Sequence, residues 1–162
     1  MTKSERSSQH GKLMGSQTPS VRIAPDYAYT DGADAVKVLA VGKLIVDPWQ
    51  SEVLNDWMGR TEEEIWSAPT CGLSVPRQNG KTLDTSGRIA SGMIMYSEWV
   101  IYTAHLQKTA TETFMEIKGL FETRGLRKYV KEIKSALGRE QIILKNGGRV
   151  VFVARTRNGG RG

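Results

Sequence analysis

The tripeptide Gly80-Lys81-Thr82 carries the clearest chemical signal in this sequence. We expect a tight polar loop before it and a helix over residues 82–95 after it. In that arrangement backbone N–H groups of the loop and of the first helical turn converge on one point, where the helix dipole adds positive charge. Lys81 would reach the β- and γ-phosphates of a nucleotide, and the Thr82 hydroxyl would ligate Mg²⁺. The stretch therefore predicts a phosphate-binding loop.

One position departs from the usual phosphate-loop pattern. Val75 stands where that pattern has a glycine, and the loop that follows is Pro76-Arg77-Gln78-Asn79. The alternative interpretation is an ordinary strand-to-helix turn with a solvated lysine. The apolar run over residues 71–75 predicts a buried strand, with Cys71 as a small buried side chain. A strand before the loop and a helix after it favour the phosphate site.

Four stretches resemble one protein family. Residues 75–82 are similar to the deviant Walker A motif of tailed-bacteriophage terminase large subunits, the ATPase motors that package double-stranded DNA into proheads. That family lacks the first glycine and carries an arginine in the loop. Residues 47–50 resemble the family's adenine-binding motif, and residues 102–110 resemble the strand-to-helix motif that follows Walker A. Residues 151–155 with 160–162 resemble the segment just ahead of the Walker B strand.

This resemblance implies roles for individual residues. Lys81 would stabilise charge on the transferred phosphates, Thr82 would hold Mg²⁺, and Arg77 would act in cis on the γ-phosphate. ATP would also be held by five further residues: Trp49, Gln50, Gln78, Asn79 and Gly80.

Gln50 has two interpretations. Asp47 as N-cap and Pro48 at the first helical position predict the start of a helix. On that helix Gln50 is either an exposed residue of no special role or, as the resemblance implies, a contact to the adenine edge. An amide suits the second role because it both donates and accepts hydrogen bonds.

The alternation of strands and helices predicts an α/β fold with a mainly parallel sheet flanked by helices, incomplete at the C-terminus. The resemblance implies a P-loop NTPase. Strand 97–104 and helix 106–121 follow the phosphate loop, and residues 141–154 predict a hairpin with a primed turn at Asn146-Gly147. Thr61 with Glu64 predicts a capping box and a short helix to about residue 67, and residues 124–139 are expected to be partly helical.

Composition indicates one soluble globular domain: 162 residues, 39% hydrophobic and 25% charged, with a single cysteine. We expect residues 1–22 to be a disordered polar tail without the apolar core of a signal peptide, and residues 23–162 to be the N-terminal portion of an ATPase domain. Residues 124–162 hold eleven Lys/Arg and two Glu, a net +9, whereas residues 23–123 carry −6. This asymmetry indicates a surface for the DNA backbone.

Hydrolysis of ATP requires an aspartate that holds Mg²⁺ and a glutamate that polarises water. No apolar strand ending in Asp-Glu follows the phosphate loop. We therefore expect this chain to bind ATP and Mg²⁺ without hydrolysing ATP, with the Walker B strand and nuclease domain of the family absent. The resemblance further implies four partners, double-stranded DNA, the terminase small subunit, portal protein and further copies of the full-length chain, in the host cell cytoplasm.

Two alternatives remain open at this point. A helicase-like P-loop NTPase would share the sheet order, but helicases usually keep the glycine that Val75 replaces. A non-catalytic remnant would bind DNA or a partner through its basic end. Salt-dependent duplex binding without nucleotide binding would favour the remnant.

Overall fold

The computed structural model describes residues 15–76 and 79–155. The helices are α1 (Gly32–Val41), α2 (Pro48–Trp57), α3 (Lys81–Tyr96) and α4 (Gln107–Glu122). The main sheet contains β3 (Trp99–Ala104), β4 (Val130–Lys134), β5 (Gln141–Leu144) and β6 (Arg149–Ala154). Two short strands, β1 (Tyr29–Thr30) and β2 (Gly59–Arg60), form a separate ladder.

The architecture is α/β, as the sequence predicts, but the main sheet is mixed. Its strand order is β3-β6-β5-β4, in which β3 and β6 are parallel while β6–β5 and β5–β4 are antiparallel. The expectation of a mainly parallel sheet is therefore corrected. The chain passes from β4 to β5 to β6 through short connections, and short connections join antiparallel strands, whereas parallel strands need a long crossover.

The core lies between the sheet and its helices. Helices α3 and α4 pack on one sheet face, and α1 and α2 pack against α3. Phe152 is fully buried there, with ring centroids 5.4 Å from Phe114 and 5.6 Å from Tyr102. The opposite face is open at β3, where Trp99 and Ile101 are 64% and 61% exposed. Within the described ranges, no helix has the length and hydropathy needed to cross a bilayer.

Helix α2 begins as its sequence predicts. Asp47 is the N-cap and Pro48 the first helical residue. The Gln50 side chain accepts a hydrogen bond from the Asp47 backbone N–H at 2.9 Å, as the third helical residue does in a capping box. Leu54 in this helix and Met58 at its C-terminal end are fully buried.

The predicted strand before the phosphate loop does not form. Residues 71–75 have no strand pairing, and Cys71 is exposed rather than buried. An apolar run becomes a strand only where a neighbouring strand pairs with its backbone, and in the described part of the chain none does so here. Leu73 and Val75 are half-buried beside α2 and α3.

The predicted short helix after Thr61 is a turn. The Thr61 N–H donates to the Ile65 carbonyl at 3.0 Å, and Glu64 has a left-handed φ of +61°. An isolated bridge pairs Arg60 with Trp66, and the Arg60 guanidinium lies 4.9 Å from the centre of the Trp66 ring. These tertiary contacts outweigh the local capping signal.

The hairpin of β5 and β6 is confirmed, but its turn is not primed. Only Gly147 has a positive φ, +95°, and its N–H donates to the Leu144 carbonyl at 3.1 Å. A primed type I′ turn would need positive φ at both central residues. The Asn146 amide instead donates to the carbonyls of Met93 and Ile94 at the end of α3 (2.9 and 3.0 Å), which holds the turn by a tertiary contact.

Residues 124–139, called the basic segment below, are less helical than expected. This segment contains one 3₁₀ turn, Arg127–Tyr129, which leads directly into β4. Of the predicted N-terminal tail, residues 1–14 lie outside the described residues. Residues 15–22 have no regular secondary structure, and Arg22 forms an ion pair with Asp56 at 2.7 Å.

The contact between α1 and α2 makes Gly32→Ala a test of the packing. A Cβ at Gly32 would lie 2.5 Å from the Asn55 Cα, which is too close for backbone atoms. We expect Gly32→Ala to lower the free energy of unfolding by about 1–3 kcal/mol. Gly119→Ala in α4 is the matched control: its Cβ meets nothing within 4 Å, and the change should raise stability by about 0.5–1 kcal/mol. Urea unfolding measures both, and equal effects would contradict this packing.

Candidate functional site

The predicted phosphate loop, residues 76–80, ends at Gly80, which is the N-cap of α3 and has a left-handed φ of +76°. Asn79 and Gly80 are exposed, whereas Lys81 and Thr82 are half-buried in the first turn. The first backbone N–H groups of a helix have no partners inside the helix. The start of α3 at Gly80 therefore offers backbone N–H donors and positive dipole charge at an accessible position. Arg77 and Gln78, both predicted site residues, lie outside the described residues.

Lys81 folds back over the loop. Its Nζ donates to the Val75 carbonyl at 2.6 Å and to the Pro76 carbonyl at 3.0 Å. The ammonium group is thereby held at the loop entrance beside the helix N-terminus. Because these acceptors are neutral carbonyls, an anion in the loop would be a stronger partner for the same ammonium.

A large cleft adjoins this loop, with a volume of about 1650 Å³. Its walls are residues 15–25, the first turns of α2, residues 70–76, and Asn79 with Gly80. Trp49 is half-buried and lines the cleft. Of the predicted site residues, Trp49, Gln50, Asn79 and Gly80 line this cleft, whereas Lys81 and Thr82 are not among its lining residues.

Gln50 is placed differently from Trp49. Gln50 is 3% exposed, so the interpretation of an exposed residue without a special role is wrong. Its Oε1 accepts from the Asp47 N–H at 2.9 Å, and its Nε2 donates to the Gly80 carbonyl at 3.2 Å. This one side chain links the start of α2 to the phosphate loop.

Asp84 is a buried group that the sequence analysis missed. It is fully buried in the first turn of α3, and neither carboxylate oxygen has a hydrogen-bond partner among the described residues. Burial raises the pKa of Asp84 to about 7, and the neighbouring Gln50 amide opposes the shift. The available signal was spacing: Asp84, Gly87 and Ser91 lie at helical intervals on one face, and the two small residues mark that face as packed.

This pKa predicts a pH-dependent stability. Between the ordinary pKa of 3.8 and about 7, the unfolded chain releases a proton that the folded chain keeps. The free energy of unfolding should therefore fall as pH rises through this window, by up to about 1.4 kcal/mol per pH unit, and then level off. Asp84→Asn should remove this slope, while Glu62→Gln at an exposed site should not. Urea unfolding from pH 4 to 8 measures it, and identical slopes for wild type and Asp84→Asn would contradict the assignment.

Thr82 is the predicted Mg²⁺ ligand. Its hydroxyl has no hydrogen bond to any other described residue, so it is available as an oxygen ligand. In the described ranges, no three His, Cys, Asp or Glu side chains come together as a metal cluster. A hydroxyl in the first turn of α3 fits a Mg²⁺ ion whose remaining ligands are phosphate oxygens and waters, the usual environment of Mg²⁺ bound with a nucleotide.

His105 lies at a strand end, and Lys81 does not. His105 directly follows β3 and is exposed. Lys81 follows a segment that has no place in the sheet, so its position does not come from a strand end. The phosphate loop is held by α2 and α3 instead.

Comparisons of the chain with protein-family models, with curated proteins and with solved structures found no match.

Proposed function

We propose that this chain is the nucleotide-binding part of a terminase-type ATPase that packages double-stranded DNA, with the fold of a P-loop NTPase. The observation that supports it most is the position of Lys81, which lies at the N-terminus of α3 with its ammonium turned onto the loop carbonyls. A lysine and the backbone N–H groups of a helix N-terminus after a glycine turn are the parts that bind the phosphates of a nucleoside triphosphate.

The binding task would be divided between the start of α3 and the cleft beside it. Lys81 would exchange its carbonyl partners for phosphate oxygens, and the N–H groups after Gly80 would bind the same phosphates. The half-buried Trp49 indole would contact the base. Mg²⁺, when bound at the Thr82 hydroxyl, would neutralise phosphate charge. Arg77 is proposed to act on the γ-phosphate by family resemblance.

Calorimetry with a series of ligands tests this proposal. Mg-ATP, Mg-tripolyphosphate and adenosine should be titrated into the purified chain, and hydrolysis of ATP should be followed in parallel. We expect ATP and tripolyphosphate to bind and adenosine to bind far more weakly, without turnover, because the sequence contains no Asp-Glu pair after an apolar strand. Tight adenosine binding without tripolyphosphate binding would contradict a phosphate site.

The exposed basic segment favours a second candidate, a polyanion-binding module without nucleotide chemistry. Lys128, Lys131 and Lys134 are exposed along the 3₁₀ turn and β4, and Lys145 is exposed in the nearby turn before β6. If the chain belongs to a packaging motor, the same surface would contact the DNA backbone. The other proposed partners of the protein are the terminase small subunit, the portal protein and further copies of the full-length chain. Salt-dependent duplex binding with no binding of ATP would favour this second candidate.

A further inference from the structure

The Gln50 amide makes two hydrogen bonds within the protein, one through its oxygen and one through its nitrogen. Its oxygen accepts from the Asp47 N–H at 2.9 Å, and its nitrogen donates to the Gly80 carbonyl at 3.2 Å. These partners fix the orientation of the amide, because a backbone N–H must face the oxygen and a carbonyl must face the nitrogen. The side chain is also 3% exposed.

An adenine contact would need a different orientation of the Gln50 amide. To read the adenine edge, an amide must present both its oxygen and its nitrogen to the base at an open surface. Gln50 lines the cleft, but turning its amide onto a base would break the part-buried hydrogen bonds to the Asp47 N–H and the Gly80 carbonyl, at a cost of roughly 2- to 10-fold in affinity for each bond. The observed contacts thus oppose the role that the family resemblance implies for Gln50.

The contact with Gly80 is close as well as polar. A Cβ at Gly80 would lie 2.8 Å from the Gln50 nitrogen, so this position leaves no space for a side chain. The last residue of the phosphate loop is therefore held against α2 by one amide. The buried carboxyl group of Asp84 lies on the same side of α3, beside that amide.

We infer that Gln50 is a positioning residue for the phosphate loop and does not read the base. It sets the distance between the α2 end of the cleft, where Trp49 lies, and Gly80, where the phosphate-binding turn begins. This inference rests on the proposed nucleotide binding. It predicts that Gln50 affects every ligand that carries a triphosphate to the same degree, whatever its base.

The test compares Gln50→Glu and Gln50→Ala with the wild-type chain. Glutamate keeps an oxygen for the Asp47 N–H but, when ionised, cannot donate to the Gly80 carbonyl. Dissociation constants should be measured for Mg-ATP, Mg-GTP and Mg-tripolyphosphate. We expect both variants to weaken all three by a similar factor, roughly 2- to 10-fold, which corresponds to one hydrogen bond. Ser51→Ala, the next residue of α2, is the control and should change none of them.

Selective loss of ATP affinity, with GTP and tripolyphosphate unchanged, would overturn the inference in favour of base reading. Should the variants unfold, wild-type NMR decides: the Gln50 side-chain amide should give the same shifts with bound Mg-ATP and Mg-GTP, and different shifts would overturn the inference. Failure of wild type to bind any of the three ligands would overturn the proposed function, and this inference with it.

Discussion

Lys81→Ala is expected to weaken Mg-ATP binding by about 10- to 100-fold, because hydrogen bonds to a charged group contribute about 1.5–3 kcal/mol each. In the unliganded chain the Lys81 ammonium is already at the loop entrance, bonded to Val75 and Pro76. Alanine removes both the charge that would meet the phosphates and the contact that holds the loop. Calorimetric titration of wild type and variant measures the change.

The matched control for Lys81 is Lys108→Ala. Lys108 lies on α4 with its side chain 84% exposed, and its ion pair with Glu112 at 3.9 Å is a surface pair of small energetic value. Its removal changes the net charge by the same amount as Lys81→Ala. Equal ATP affinities for wild type and both variants would mean that the tripeptide Gly80-Lys81-Thr82 is an ordinary helix start with a solvated lysine.

Phe152→Ala is expected to cause the largest loss of stability, about 3–5 kcal/mol in the free energy of unfolding. The ring is fully buried between β6 and α4, against Phe114 and Tyr102. Its removal leaves a cavity at the centre of the layer that joins sheet and helices. A domain of ordinary stability, about 5–15 kcal/mol, would lose a large part of its margin. Urea unfolding followed by circular dichroism gives the value.

Ile101→Ala is the control for the opposite face of the sheet. Ile101 lies beside Val151 of β6 and is 61% exposed, so its truncation should cost about 0.5 kcal/mol or less. Comparable losses for Phe152→Ala and Ile101→Ala would show that both sheet faces are covered in solution, contrary to the open face at β3.

Helices and the hairpin could be predicted because their signals are local. Pro48 after Asp47 marks the start of α2, and the apolar spacing over residues 106–121 matches α4, which spans Gln107–Glu122. Strand partners could not be predicted in the same way. The direction of β5 and β6 follows from a short turn, but the parallel pairing of β3 with β6 joins residues about 50 positions apart.

The parts of the site that sequence reasoning missed depend on tertiary contacts. An apolar run at residues 71–75 predicts a strand, yet among residues 15–76 and 79–155 no strand lies beside its backbone. Gln50 looks like a helix-surface residue or an adenine contact until its two hydrogen-bond partners, from α2 and from the phosphate loop, are known. Gly87 and Ser91 mark the helix face of Asp84 as packed, but they do not indicate full burial of its carboxyl group, because a carboxylate near a helix N-terminus is ordinarily solvated.

An NMR titration of the ¹⁵N-labelled chain with Mg-ATP tests the central claim most directly, since it locates the ligand as well as detecting it. Our account predicts that the largest backbone shifts occur at Gly80, Lys81 and Thr82, with a shift of the Trp49 indole N–H and little change across β4 and β5. Shifts confined to β4, β5 and the basic segment, or no shifts at millimolar Mg-ATP, would contradict a nucleotide site at the start of α3.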